Sequence, residues 1–314
     1  MRQILILAGG LSHERDVSLR SGRRVADALN GAGTEAFVRD VDPTLLGAIK
    51  HSPPEVVWPV LHGASGEDGA LRDVLEALDI AYIGSRPASC RLTWDKPVAK
   101  ALVGAAGISS PAGMALSHAT FRELGAPALL ESVIDSLGLP LAVKPARGGS
   151  SLGLTIVRSA AELPSAMVTA YAYGDIALIE RFIEGVEVAV SIVEDAQGHT
   201  LTLPAVEIVP DGGVYNYEAR YTAGATEFFT PARLSSSVAA SVAAVSLMAY
   251  RTLGHQHLSR VDLIIDADDR PWFLEANVSP GMTETSLLPM AVEAAGLDAT
   301  EVYAGIVERA LTTV

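Results

Sequence analysis

SRVDLIIDADDRPWFLEANVSPG, residues 259 to 281, reads as a β-hairpin. Val261, Leu263 and Ile265 alternate with Arg260, Asp262 and Ile264, the period-two pattern of a strand with one apolar face. Ala267-Asp268-Asp269-Arg270-Pro271 supplies the turn, and Trp272 to Ala276 the second strand. With the turn centred between Asp268 and Asp269, Asp262 faces Glu275 and Arg260 faces Asn277. Residues two apart on a strand share a face, so these four side chains form one polar cluster at the open end of the hairpin. Two carboxylates and an amide oxygen are the hard oxygen ligands that Mg²⁺ prefers. The arginine beside them suits a developing oxyanion.

Upstream of the hairpin, Val238 to Leu253 reads as a helix. Before it, DGGVYNYEARYTAGATEFFTP (211–231) lacks a clean period. Structureless loops of that length are functional or disordered, and its aromatic residues argue for a lid. Leu139 to Lys144 is an expected strand, and Leu154 to Val157 another. Between them lies ARGGSSLG (146–153), whose backbone N–H groups can fold around phosphate oxygens. Lys144 adds a point charge there. The stretch is not a Walker A loop. Ala177 to Arg181 and Val186 to Val193 read as strands, the second carrying Glu187, and a hairpin leads into a strand from Thr200 to Val209.

At the chain start, Gln3 to Ala8 is a buried strand, Gly9-Gly10 a turn that brings backbone close to a ligand, and a helix follows from about Asp16 with Val17, Ser21, Val25 and Leu29 on one stripe. Glu14 sits in the loop between them. Its carboxylate either favours a cation such as a substrate ammonium or interacts with the helix dipole. Val56 to Leu61 and Ala81 to Ile83 read as further strands, with Ala70 to Leu78 a helix and Asp68 its N-cap. His62 stands at a strand's C-terminal end, where open α/β sheets place ligands, and a purely structural histidine fits equally well. Thr93 to Lys96 opens a helix carrying Lys96 and Lys100. Near the other end, Ser286 precedes LLPMAVEAAG as an N-cap or as a hydroxyl beside free amides that bind a carboxylate.

The 314 residues, 49% hydrophobic with a net charge of −14, suffice for two or three cores. The acidic balance argues against nucleic acid and against an anionic membrane surface. A lone Cys90 rules out an internal disulfide and reads as a small buried residue. MRQILILAGG is too short an apolar run for a signal peptide, and no stretch approaches the roughly 18 apolar residues of a membrane span. A cytoplasmic protein is expected.

Seven stretches in order carry a resemblance: GGLSHERDVSLRSG, LHGASGEDG, DK, VKPARGGSSLG, LIERFIEGVE, YNYEARY and RVDLIID with LEANVSPGMTETSL. Together they resemble the D-alanine–D-alanine ligases of the ATP-grasp superfamily, over essentially the whole length. The resemblance implies an α/β, three-domain ATP-grasp ligase with an N-terminal Rossmann-like (pre-ATP-grasp) domain, divided at 1–86, 87–176 and 177–314. It implies joining of two D-alanines through an acyl phosphate for peptidoglycan precursors, in a cytoplasmic homodimer that uses ATP and two Mg²⁺, with Mn²⁺ able to substitute.

By the same resemblance, Lys96, Lys144, Ser150 and Ser151 hold ATP phosphates, with Arg220 from the lid. Glu180, Arg181 and Ile183 hold adenine, and Glu187 the ribose. Asp262, Glu275 and Asn277 bind the metals. Arg260 and the Gly281 amide stabilise the oxyanion. Glu14, hydrogen-bonded with Ser150 and Tyr221, holds the first ammonium. His62 is a substrate-binding candidate, and Ser286 and Leu287 receive the second carboxylate. Three positions depart from the family pattern: Arg220 for Lys, and Ala146 and Gly148 for Ser and Glu. A relative joining another D-amino acid or D-hydroxy acid pair is the alternative, which Tyr221 disfavours for the ester-forming members. A nicotinamide oxidoreductase lacks its G-x-G-x-x-G here. The complete Asp262, Glu275, Asn277 and Arg260 set speaks against a non-catalytic nucleotide binder.

Overall fold

The computed structural model describes residues 3–222 and 224–312. The hairpin forms from β12 (Leu258–Ile265) and β13 (Pro271–Asn277), where Asp262 pairs with Glu275 and Arg260 with Asn277 as expected. Its turn is pinned by Asp266, whose Oδ1 accepts from the amides of Asp268 and Arg270 at 3.0 Å each and whose Oδ2 accepts from the Trp272 indole at 2.7 Å. The register shifts between Asp262 and Leu263, so Leu263 opposes Phe273 instead of Leu274. Leu263 and Phe273 are both fully buried in one core. The bulge has a functional result: consecutive residues Leu274 and Glu275 both border the same cavity, which strict alternation forbids.

The hairpin belongs to a six-stranded antiparallel sheet. Along it run β11 (Thr226–Phe229), β10 (Val206–Pro210), β8 (Val186–Glu194), β12 and β13, with β9 (Thr200–Thr202) paired to β8. The single strand expected from Thr200 to Val209 is therefore two, broken at 203–205 where Pro204 interrupts the ladder. A second, four-stranded sheet orders β4 (Gly113–Ser117), β7 (Ile176–Arg181), β5 (Leu141–Pro145) and β6 (Thr155–Val157). Helices α7 (His118–Leu124), α8 (Ala126–Leu137) and α9 (Leu163–Tyr171) accompany it, and Leu130, Val133 and Met167 close its core.

The first sheet is parallel, in the order β2 (Glu35–Arg39), β1 (Gln3–Leu7), β3 (Val56–Pro59). Sequence reading passed over β2 and α2 (Leu45–His51). The strand expected at Ala81 to Ile83 is only an isolated bridge between Val57 and Tyr82. Helix α1 (Arg15–Gly31) buries Ser21, Val25 and Leu29 of its expected stripe, while Val17, at its start, is only partly buried and borders the smaller of two cavities. The ASGEDG stretch is partly helical, α3 (Ala64–Glu67), and Gly69, in the left-handed region at φ 88°, takes the cap position of α4 (Ala70–Ala77) expected for Asp68.

Sheets and cores do not follow the expected domain limits at 86 and 176. After α5 (Pro87–Trp94), α6 (Lys96–Ala105) sends Ala99 and Val103 into the core of the six-stranded sheet with Val188 and Val261. Strand β7 pairs into the four-stranded sheet. The first sheet in turn packs on α13 (Ala299–Thr312), with Trp58 edge-on to Tyr303 at 5.7 Å.

Residues 211–231, expected as an irregular lid, hold a short helix α10 (Tyr217–Tyr221), capped by Asn216 Oδ1 on the Ala219 amide at 2.9 Å, and the edge strand β11. Helix α11 (Ser236–Thr252) covers the far face of the six-stranded sheet, and α12 (Leu287–Ala294) lies near its other side.

Candidate active site

Two cavities adjoin and share Lys96, Gly148, Gly149, Tyr215, Arg220 and Glu275 on their walls. The larger, about 560 Å³, opens between the four- and six-stranded sheets. Lys144, Ser151, Glu180, Arg181, Ile183 and Glu187 border it, along with Asp262. It has the size of a small-ligand pocket. The smaller, about 120 Å³, gathers Glu14, His62, Ser150, Tyr221, Arg260 and Asn277. Gly281, Ser286 and Leu287 close it. The residues singled out from the sequence thus fall into these two connected spaces.

The two serines of the glycine–serine loop face different cavities. Ser150 and Ser151 both adopt left-handed backbone, φ 50° and 55°, at a cost on the order of 1–3 kcal/mol each for non-glycine residues. Their side chains diverge. Ser151 borders the larger cavity and donates to the Tyr215 carbonyl at 2.9 Å. Ser150 turns to the smaller one, donates to Glu14 Oε1, and lies 2.6 Å from the Tyr221 hydroxyl. Tyr221 also donates to Glu14 Oε1 at 3.2 Å. Burial, with Glu14 beside it, pushes the Tyr221 phenol up to about 12, so it stays a donor. Loop and α6 are joined as well: Asp95 caps α6 and pairs with Arg147 at 2.9 Å. Lys96 donates through its amide to Ala146 at 3.0 Å and through Nζ to Gly148 at 2.6 Å.

Glu14 stands at the cap position of α1 but makes no side-chain capping bond. The Gly9-Gly10 turn is committed internally instead of to a ligand: Gly9 donates to Ser18 and Gly10 to Asp40, 2.8 Å each. A Cβ on Gly9 would run into the Asp40 carboxylate at 2.4 Å, which requires glycine there. His62 is buried, hydrogen-bonded to the Ser279 backbone, and its Nε2 has no partner. Burial lowers its pKa, so the ring is neutral with one nitrogen free beside the smaller cavity. Ser286 is at the cap position of α12, yet its hydroxyl accepts from the Thr283 amide at 3.0 Å and leaves the first helical amides uncapped. Gly281 is needed beside it, since a Cβ would sit 2.7 Å from that hydroxyl.

The oxygen set of the hairpin fits a hard divalent cation. Arg260 holds Asp262 by two bonds, 2.7 and 2.8 Å. Lys96 Nζ lies 3.2 Å from Glu275, and Asn277 Oδ1 accepts from the Ser279 amide at 2.7 Å. Burial opposes charge on Glu275, but Lys96, Lys144, Arg220 and Arg260 outweigh it and hold the carboxyl at about 2. An ionised carboxylate, a second carboxylate and an oriented amide oxygen are magnesium-type ligands that substrate phosphates complete. Among the described residues no three His, Cys, Asp or Glu side chains converge for a metal, so a third protein oxygen here would be the Asn277 amide.

Glu180, expected at the adenine, carries two lysine partners. It borders the larger cavity but is almost fully buried, 2.9 Å from Lys100 Nζ and 3.2 Å from Lys144 Nζ. Burial opposes its charge, and the two lysines prevail and keep it ionised. Glu67 escaped notice although it lies in a quoted motif. It is buried against the smaller cavity, accepts from the Gly63 amide at 2.8 Å, and burial followed by Glu14 pushes its carboxyl up to about 8. Half-buried Glu187 is pushed by desolvation up to about 7. Arg220 stacks over the Tyr215 ring at 4.1 Å, fixing the lid's cation between the cavities.

A family model described as D-ala D-ala ligase C-terminus matches residues 102–308. A D-alanine–D-alanine ligase of Bordetella petrii is 42% identical over 306 residues, which is 97% of this chain and 91% of that protein. The solved structure of VanG D-Ala:D-Ser ligase from Enterococcus faecalis matches with a TM-score of 0.85 at 26% identity, covering 98% of this chain and 99% of that one. The D-alanine–D-alanine ligase from Bacillus anthracis complexed with ATP matches with a TM-score of 0.83 at 29% identity, covering 100% and 98%.

Proposed function

The chain belongs to the D-alanine–D-alanine ligase family, and we propose that its two cavities divide the ATP-dependent joining of two D-alanines, nucleotide in the larger and both amino acids in the smaller. The observation that carries this division is the Glu14–Ser150–Tyr221 cluster in one cavity, adjoining through Lys96 and Glu275 a second that holds Lys144 and Asp262. A carboxylate acylates poorly because its leaving group is poor. Attack of the first D-alanine carboxylate on the γ-phosphate releases ADP and gives an acyl phosphate. The second amine then attacks that carbonyl, and the tetrahedral adduct expels phosphate.

Glu14 takes the first ammonium and so aims its carboxylate toward the nucleotide. Lys96, Lys144, Ser151 and Arg220 face the phosphates; Arg181 and Ile183 border the adenine end, and Glu187 the ribose. Arg260 and the Gly281 amide receive the oxyanion. Neutral His62 offers Nε2 to the second substrate, whose carboxylate is placed at Ser286 and Leu287, by the uncapped first amides of α12; the Ser286 amide itself is held by the Thr283 carbonyl at 3.0 Å. Asp262, Glu275 and Asn277 would hold two Mg²⁺, or Mn²⁺ on the same oxygens. Bound there, the metal supplies neutralisation of charge building between β- and γ-phosphate oxygens. The lid keeps water from the acyl phosphate.

Release of ADP from ATP, screened over D- and L-amino acids, tests the reading. Turnover is expected with D-alanine alone and none with L-alanine; release independent of any amino acid sinks it. The second reading, a ligase for another D-pair, draws on the fold likeness to the D-Ala:D-Ser ligase. D-serine or D-lactate competing better than D-alanine for the second position would favour it. No helix among the described residues is long and apolar enough to cross a membrane. The protein is further read, as its family resemblance implies, as a cytoplasmic homodimer, for which Val74 on α4 and Leu92 on α5 leave apolar surface exposed. Its units are taken as 1–86, 87–176 and 177–314, with β7 (Ile176–Arg181) of the third completing the four-stranded sheet of the second.

A further inference from the structure

Lys100 lies one helical turn beyond Lys96 on α6 and has no part in the reaction as set out above. It does not border either cavity. Its side chain is 8% exposed, Nζ is 2.9 Å from Glu180 Oε1, and it donates to the Phe273 carbonyl at 3.2 Å. The other oxygen of Glu180 is 3.2 Å from Lys144 Nζ. One buried carboxylate therefore lies between two ammonium groups, and only Lys144 of the two reaches the larger cavity.

We propose that Lys100 is a positioning residue for the nucleotide: it occupies Glu180, so that Lys144 keeps a positive charge to offer the polyphosphate. The three groups sum to one positive charge. Without Lys100, Glu180 and Lys144 neutralise each other and this set no longer adds a net positive charge to the cavity beside Lys96 and Arg220. A buried carboxylate deprived of one partner also draws the remaining lysine toward itself. Burial pushes Lys100 down to about 8, with Glu180 the main group holding its charge. On Lys144 burial also opposes the charge, and Glu180 with Glu275 more than restores it. A purely mechanical role, tying α6 to β13 through the Phe273 carbonyl, predicts lost stability and unaltered phosphate affinity.

The proposal rests on the reading that the larger cavity takes ATP, and the test separates the two. The probe is inorganic tripolyphosphate with magnesium, competing against ATP, because it has no adenine to contact Glu180. Lys100→Met is expected to weaken the probe and raise the KM for ATP by roughly ten- to a hundredfold, a 1.4 to 3 kcal/mol charge effect, with the KM for D-alanine nearly unchanged. Lys100→Met combined with Glu180→Gln should recover probe affinity, since the carboxylate is gone too. If Lys100→Met proves too unstable, Glu180→Gln alone decides: unopposed Lys144 should bind the probe tighter, by about tenfold. Normal probe affinity in Lys100→Met, a double variant no better than the single, or weaker binding in Glu180→Gln overturns the proposal. Lys144→Met serves as control. If it too leaves the probe unaffected, the nucleotide assignment falls with the proposal; if it weakens the probe while Lys100→Met does not, only the role of Lys100 falls.

Discussion

Tyr221 and Glu14 are separated by 207 positions, and the tyrosine hydroxyl donates to the Glu14 carboxylate at 3.2 Å. Ser150 bonds to both. Three segments from three parts of the chain are thereby joined at one oxygen: the loop before α1, the glycine–serine loop and the lid helix. On the proposed function, Glu14 would both take the substrate ammonium and hold α10, which would couple closure of residues 211–231 to occupancy of the smaller cavity.

Glu14→Gln removes the charge and keeps a carbonyl oxygen for Ser150 and Tyr221. A charge-assisted hydrogen bond is worth roughly 1.5–3 kcal/mol, so the KM for the first D-alanine should rise about ten- to a hundredfold, with that for ATP little affected. Dipole interaction with α1 would predict a lowered melting temperature and normal kinetics instead. Glu14 makes no capping bond, so the kinetic outcome is expected. Both KM values and the melting temperature decide.

Residues 211–231 should be cut by a protease in the free enzyme and protected by an ATP analogue with D-alanine. Apart from the β10–β11 ladder and the packing of Tyr215, the side-chain ties across to the rest of the site are Tyr221 to Glu14 and Ser150, and Ser151 to the Tyr215 carbonyl at 2.9 Å. Tyr221→Phe removes two of them and should speed cleavage in the free state. Equal cutting with and without ligands would show that this segment is no lid.

Glu275→Gln exchanges a carboxylate of the oxygen set, held at about 2, for a neutral amide of similar shape. Turnover of ATP should fall by several orders of magnitude with the fold intact. Affinity for Mn²⁺, read by water-proton relaxation in the presence of ADP, should fall in parallel. Wild-type Mn²⁺ binding would remove Glu275 from the metal site.

Much of this was legible because alternation carries register. Asp262 opposite Glu275 and Arg260 opposite Asn277 follow from counting to the turn. The bulge beyond them was not, because it is set by Phe273 reaching a core built from distant strands. Left-handed backbone at Ser150 and Ser151 leaves no mark in residue identity, so the divergence of their side chains into two cavities was not legible. Burial was likewise invisible. Lys100 and Glu180 look like surface charges on a helix and a strand until the sheet closes over them. The seven motifs located the site, and the tertiary packing assigned its oxygens.

Glu67 offers a pH test with a definite sign. Its carboxyl is pushed from the ordinary 4.5 up to about 8, first by burial and then by Glu14. The folded value lies above the unfolded one, so between about pH 4.5 and 8 the folded chain keeps a proton that the unfolded chain has released. Stability falls with rising pH wherever the native state binds more protons, and this loss is complete once pH passes the folded value. Glu67→Gln keeps the acceptor for the Gly63 amide, 2.8 Å away, and never ionises. The melting temperature of the variant minus that of the native enzyme should therefore rise steadily from pH 5 to 8 and level off above. A difference independent of pH would mean that Glu67 is ionised in the folded protein at neutral pH, and that two carboxylates, Glu67 and Glu14, share the smaller cavity. In that case an ammonium would have two anionic partners there, and Glu14→Gln alone would cost far less than a hundredfold.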